Sequence, residues 1–83
     1  MIIVAFASTH DALEIEDALM ENNIDLRTIP TPREITAGCG ISLKLDLKHL
    51  RYVRKILEEH DIINRQIFHE IIDEGKKTYK LIE

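Results

Sequence analysis

Tryptophan is absent from this 83-residue chain, aromatic residues make up 5% of it, and cysteine occurs once. Without large rings, the core has to be filled by aliphatic side chains, and Ile and Leu dominate the 45% that is hydrophobic. A single cysteine excludes an internal disulfide and fits a reducing compartment, so the expected location is the cytoplasm. No apolar run approaches the roughly 20 residues of a membrane-spanning helix. The opening MIIVAFA is apolar but lacks the basic region and cleavage site of a signal peptide, so it is read as part of the fold. Positive charge is also scarce. Eleven Lys and Arg against fifteen Asp and Glu leave a net charge of −4, a poor surface for displacing counterions from nucleic acid. No repeat, low-complexity segment or linker interrupts the chain, and residues 1–83 are read as one domain with a thin core.

What is present has a clear order. Ile2 to Ala7 is a short apolar run rich in branched residues, the pattern of a strand buried on both sides. Ser8 or Thr9 caps the helix that follows, Asp11 favours its dipole, and Ala12, Ile15 and Leu19 form its inner stripe. The acidic Glu14, Glu16, Asp17 and Glu21 read as its solvated side. Asn22-Asn23 is the stop, since Asn tolerates left-handed angles. Asp25 to Ile29 reads as a second strand, ended by Pro30 and Pro32. Ile41, Leu43 and Leu45 alternate with Ser42 and Lys44 as a half-buried third strand. Asp46 caps a second helix with Leu50, Val53 and Leu57 inward, closed by Glu58, Glu59 and His60. Arg65 to Ile72 is a further strand with the turn Asp73-Glu74-Gly75-Lys76 behind it, and Thr78 to Ile82 reads either as a hairpin partner or as a frayed extension. The order β-α-β-β-α-β with an extra C-terminal strand predicts an α+β, ferredoxin-like sandwich: an antiparallel sheet with two helices on one face.

This topology brings the first helix N-terminus and the loop from Pro30 to Gly40 to one edge of the sheet. The loop contains TPREITAGCG, with Cys39 between Gly38 and Gly40. Glycines strip side-chain cover from their neighbours, so the expectation is a thiol on display. A helix N-terminus stabilises a nearby anion by about 0.3 to 1 kcal/mol when exposed, and Arg33 folded over the loop would push the same way, with His10 as a proton acceptor or a second positive charge. Asp11 opposes them. Amides around Gly38 to Ile41 are candidates for an anion-binding nest.

The segments FASTHDALEIEDAL, NNIDLRTIP and IPTPREITAGCGISL together resemble the selenium/sulfur carrier protein-like family of small prokaryotic proteins. The resemblance covers residues 3 to 57 and is strongest at Ser8-Thr9-His10-Asp11-Ala12-Leu13, Thr31-Pro32-Arg33 and Cys39-Gly40; the segment after residue 58 fits less closely. It implies a thiol on Cys39 that holds a persulfide or perselenide, loaded by a cysteine desulfurase or selenocysteine lyase-type donor and emptied by an acceptor enzyme. Arg33 and His10 fall on matching positions, with Thr31, Pro32, Gly38, Gly40, Ser8 and Thr9 as loop and anion-binding support. Such a chain is a carrier or accessory protein rather than a stand-alone enzyme, and it needs no cofactor.

Other constellations point to less. His10, His49, His60 and His69 lack the spacing of a zinc site, and there is no second cysteine, so no metal is expected. Gly38-Cys39-Gly40 followed by Lys44 lacks the pattern of a phosphate-binding loop. The basic Lys48, Arg51, Arg54 and Lys55 read as the outer face of the second helix, with an acidic partner as the alternative. Two further functions stay open: a non-catalytic regulatory or interaction module, and a sensor holding a small anion at the first helix N-terminus and Arg33. The strand at residues 25 to 29 is read as a sheet edge that leaves pairing with a second copy open.

Overall fold

The computed structural model describes residues 1–35 and 38–83; Thr36 and Ala37, inside the expected loop, lie outside the described residues. The first strand β1 (Ile2–Phe6) leads to helix α1 (Thr9–Glu21), then strands β2 (Leu26–Pro30) and β3 (Ile41–Leu45). A short 3₁₀ turn (Leu47–His49) opens helix α2 (Leu50–Glu59), and strands β4 (Arg65–Asp73) and β5 (Lys76–Leu81) complete the chain. The fold is α+β, with one five-stranded sheet in the order β2-β3-β1-β4-β5 and every neighbouring pair antiparallel.

Local chemistry sets the element ends. Ser8 is the N-cap of α1 in extended conformation, and its hydroxyl accepts from the Asp11 amide at 3.1 Å. Asn22 caps the other end, and Asn23 follows with φ 58°, the left-handed residue that closes a helix. Asp46 caps as expected, accepting from the Lys48 amide at 2.9 Å, but what it starts is the 3₁₀ turn, with α2 proper beginning at Leu50. Glu74 and Gly75, with φ of 50° and 79°, make the tight turn between β4 and β5, whose twist matches the flanking strands.

Strand β1 sits at the centre of the sheet and is buried along its whole length. Ile2, Val4 and Phe6 face the layer formed by Ala12, Ile15 and Leu19 of α1 and Val53, Ile56 and Leu57 of α2, so both helices cover one face. Ile3 and Ala5 face the other way, where Ile35 lies over them with Ile29, Phe68 and Tyr79 alongside. This second face departs from the alternation read in the sequence. Ser42 is fully buried and Lys44 is half-buried, although both were read as the solvent side of β3. Cover comes from elsewhere in the chain: Thr31 bonds the Ser42 hydroxyl at 2.8 Å, and buried Glu70 of β4 pairs with Lys44 at 3.1 Å.

Candidate functional site

One edge of the sheet gathers the C-terminal end of β1, the N-terminus of α1, the loop before β3 and the turn before β4. The ties are backbone bonds: the Cys39 amide donates to the Phe6 carbonyl at 3.2 Å, and the Ala7 amide to the Asn64 carbonyl at 3.1 Å. Thr31 closes the base of the loop, its amide donating to the Gly40 carbonyl at 3.0 Å and its hydroxyl to the Cys39 carbonyl at 3.1 Å. Cys39 is thus held by both its amide and its carbonyl.

The side chain of Cys39 enters the layer between sheet and helices, and the residue is only 3% exposed. The expectation of a thiol on display is therefore corrected. Local sequence places two glycines beside it, but the fold turns the thiol inward among Phe6, Ala12 and the other residues of that layer. Its polar partner is the Thr9 hydroxyl at 3.3 Å, on the first residue of α1. A sulfur at this place meets the positive end of the helix dipole.

The two flanking glycines have different settings. A Cβ on Gly38 would stand 3.0 Å from the Ala7 carbonyl oxygen, so the close crossing of loop over strand end needs a glycine there. Gly40 has open space around it and no left-handed angle. Gly38 also lines a cleft of about 280 Å³ with Phe6, Ala7, Asn64, Arg65 and Gln66. Arg65 donates from one terminal nitrogen to Glu83 at 2.7 Å, and its Nε is buried with no hydrogen-bond partner among the described residues.

The remaining expected residues separate into those brought to Cys39 and those that are not. Thr9, Thr31 and Gly38 are part of the arrangement just described, and Ser8 holds the end of α1. Pro32 is half-buried, its carbonyl accepting from Ile35 at 3.0 Å, so it shapes the turn that seats Ile35 on the far face. Arg33 is exposed and makes no ion pair among the described residues. His10 is 85% exposed in its side chain and turns to Glu14, with 3.6 Å between them, rather than to the sulfur. The same carboxylate meets His60 Nδ1 at 2.7 Å, tying the end of α2 to α1. That link was missed because Glu14 and His60 lie far apart in sequence and each looks solvated in its own helix. Among the described residues no group of three His, Cys, Asp or Glu is arranged to hold a metal ion, and no helix is long and apolar enough to cross a membrane.

Residues 1–69 match the family described as "Putative Se/S carrier protein-like", and the chain belongs to that family. The match extends past residue 57 through α2 and into β4, beyond the stretch on which the sequence resemblance rested. No curated protein and no solved structure matches the chain.

Proposed function

We propose that this chain carries sulfur or selenium as a persulfide or perselenide on Cys39, relayed between a donor and an acceptor protein in the cytoplasm. The observation that carries the reading is the setting of the only cysteine: its thiol meets the Thr9 hydroxyl at the start of α1, and its backbone is fixed by Phe6 and Thr31. Membership of the carrier-like family supports the same choice of residue. Loading is a thiol exchange that needs no outside oxidant. The Cys39 thiolate attacks the outer sulfur of a donor persulfide, the donor S–S bond breaks, and the donor leaves as a thiolate while Cys39 becomes Cys–S–SH. Unloading repeats the exchange with an acceptor thiolate as nucleophile on the outer sulfur.

Burial of Cys39 fits storage, because a shielded persulfide is kept from small thiols that would strip it. Access then requires the Gly38–Gly40 segment to part from the end of β1 when a donor docks. His10 and Arg33, both exposed on the loop and helix of this edge, are read as contacts for that donor. The run β2-β3-β1-β4 with its two helices is read as a ferredoxin-like sandwich to which β5 has been added. The chain acts as an accessory protein and not as an enzyme turning over a small molecule.

Intact-mass measurement after incubation with a cysteine desulfurase and cysteine tests the reading. Wild type gains the mass of one sulfur atom, reductant removes it, and Cys39→Ser never acquires it. A folded wild-type chain that stays unmodified while the desulfurase itself is visibly loaded would sink the proposal. A selenocysteine lyase in place of the desulfurase decides between the two cargoes.

A further inference from the structure

The sheet ends on two strands of opposite character, β2 and β5. β5 carries Lys76, Lys77 and Lys80, so an antiparallel copy laid against it would set lysines beside lysines, a common guard of a free edge. β2 has no such run: Arg27 is its one charged residue and Pro30 its last. The Thr31 amide donates inward to Gly40, and inward and outward amides alternate along an antiparallel strand. Arg27 and Ile29 therefore also turn their amides to β3, and those of Leu26 and Thr28 point away from the sheet. Pro30 falls on an outward position, where its missing amide breaks no ladder bond. Helix α1 lies along this edge, with the Thr28 hydroxyl donating to the Glu16 carboxylate. Leu13 and Met20 lie three residues before Glu16 and four after it, on the same side of the helix, and are 47% and 58% exposed.

We infer that two copies of this chain pair through their β2 strands, antiparallel, about a two-fold axis at Thr28. The two Thr28 residues then exchange both bonds, and each Leu26 amide donates to the Pro30 carbonyl of the second copy. The missing proline amide costs only the outermost bond. The apolar pair on α1 fits the same axis, because an axis beside Glu16 sets Leu13 of one helix against Met20 of the other. Moving the register by two residues sets Arg27 against Arg27 in one direction, a like-charge pair. In the other direction it sets Pro30 against Thr28 and loses bonds at the centre. The backbone pattern and the apolar pattern thus share one axis, which selects a second copy over an unrelated strand. Glu16 opposes the pairing, since its two carboxylates meet at the axis, and it keeps the association weak. The antiparallel arrangement sends the two Cys39 edges to opposite ends of the joined sheet, so the interface stands whether or not Cys39 carries sulfur.

Sedimentation equilibrium of the full chain from micromolar to millimolar concentration, with amide hydrogen exchange at both ends of that range, tests it. The mass rises from 9.6 kDa toward twice that value. Exchange at the Leu26 and Thr28 amides slows as the dimer fills, whereas the Arg27 and Ile29 amides are protected throughout. Leu13→Glu/Met20→Glu raises the dissociation constant about tenfold or more, since each of these side chains otherwise leaves water at the interface. Both residues are exposed, so the variant keeps its fold, and circular dichroism checks this. Glu16→Gln, which removes the like charges at the axis, lowers the constant. A chain that stays at 9.6 kDa at millimolar concentration overturns the assignment. So does a dimer whose Leu26 and Thr28 amides exchange at the monomer rate, or one that the double variant leaves equally tight or Glu16→Gln loosens.

Discussion

Gly38 and Gly40 flank the same cysteine, yet they occupy their places for different reasons, and single substitutions separate them. A methyl group on Gly38 would press on the Ala7 carbonyl at 3.0 Å, and a backbone atom cannot swing away as a side-chain end does. Gly38→Ala is expected to cost about 1 to 3 kcal/mol, as overpacking does, because the loop must lift from the end of β1. Gly40→Ala meets open space at an ordinary backbone angle, so it is expected to be neutral or to stabilise by about 0.4 to 1 kcal/mol through the unfolded chain. Urea denaturation of the two variants beside wild type checks the pair. If Gly38→Ala lifts the loop as argued, it also speeds alkylation of Cys39, whereas Gly40→Ala leaves that rate unchanged.

At the level of elements, the loop before β3 is attached on both sides of the sheet: Cys39 reaches into the helix layer, and Ile35 seats on Ile3 and Ala5 of the opposite face. Cutting Ile35 back should therefore loosen the thiol, although the two side chains belong to different apolar clusters. Ile35→Ala is expected to destabilise by about 2 to 5 kcal/mol, the usual range for deleting a buried aliphatic side chain. Cys39 should then alkylate faster under conditions where the variant remains folded by circular dichroism; an unchanged rate would mean that Ile35 anchors the face and not the loop. The same loop shows what the sequence could and could not reveal. Ser8, Asn23 and the Glu74-Gly75 turn were legible because a cap or tight turn is decided by its own few residues. The central burial of β1 was legible from its unbroken apolar run. The solvent side assigned to Ser42 and Lys44, and the exposure assigned to Cys39, were wrong for one physical reason. Thr31 covers Ser42, Glu70 covers Lys44, and Thr9 meets the Cys39 sulfur, and such tertiary contacts leave no trace in local periodicity. The nearness of Thr9 and Cys39 was legible through topology, which brings both to one edge, while the burial of the thiol lay in packing.

For the molecule as a whole, the helix-free face is the place where stability and charge meet. Glu70 is buried there, paired with Lys44 at 3.1 Å, and Tyr79 of β5 stands opposite it in the strand register. Burial is the main cause that pushes the Tyr79 phenol above its ordinary value of 10.0, and the negative charges of Glu70 and Glu34 and a hydrogen bond with Glu70 add to it. A phenol with a higher pKa in the folded chain keeps its proton there after the unfolded chain has lost it. The native state then binds more protons than the unfolded one, and stability falls with rising pH across that window. Stability is thus fully present below about pH 10 and lost as the pH climbs through the folded value. Other groups also lose protons in alkaline solution, so wild type alone cannot assign the loss. Tyr79→Phe keeps the ring and removes the titrating group. Thermal unfolding from neutral pH to about pH 11 is expected to show a shallower decline for the variant than for wild type, with the gap opening near pH 10. Parallel curves for the two proteins would mean that the phenol keeps its proton equally in both states and that the decline has another origin.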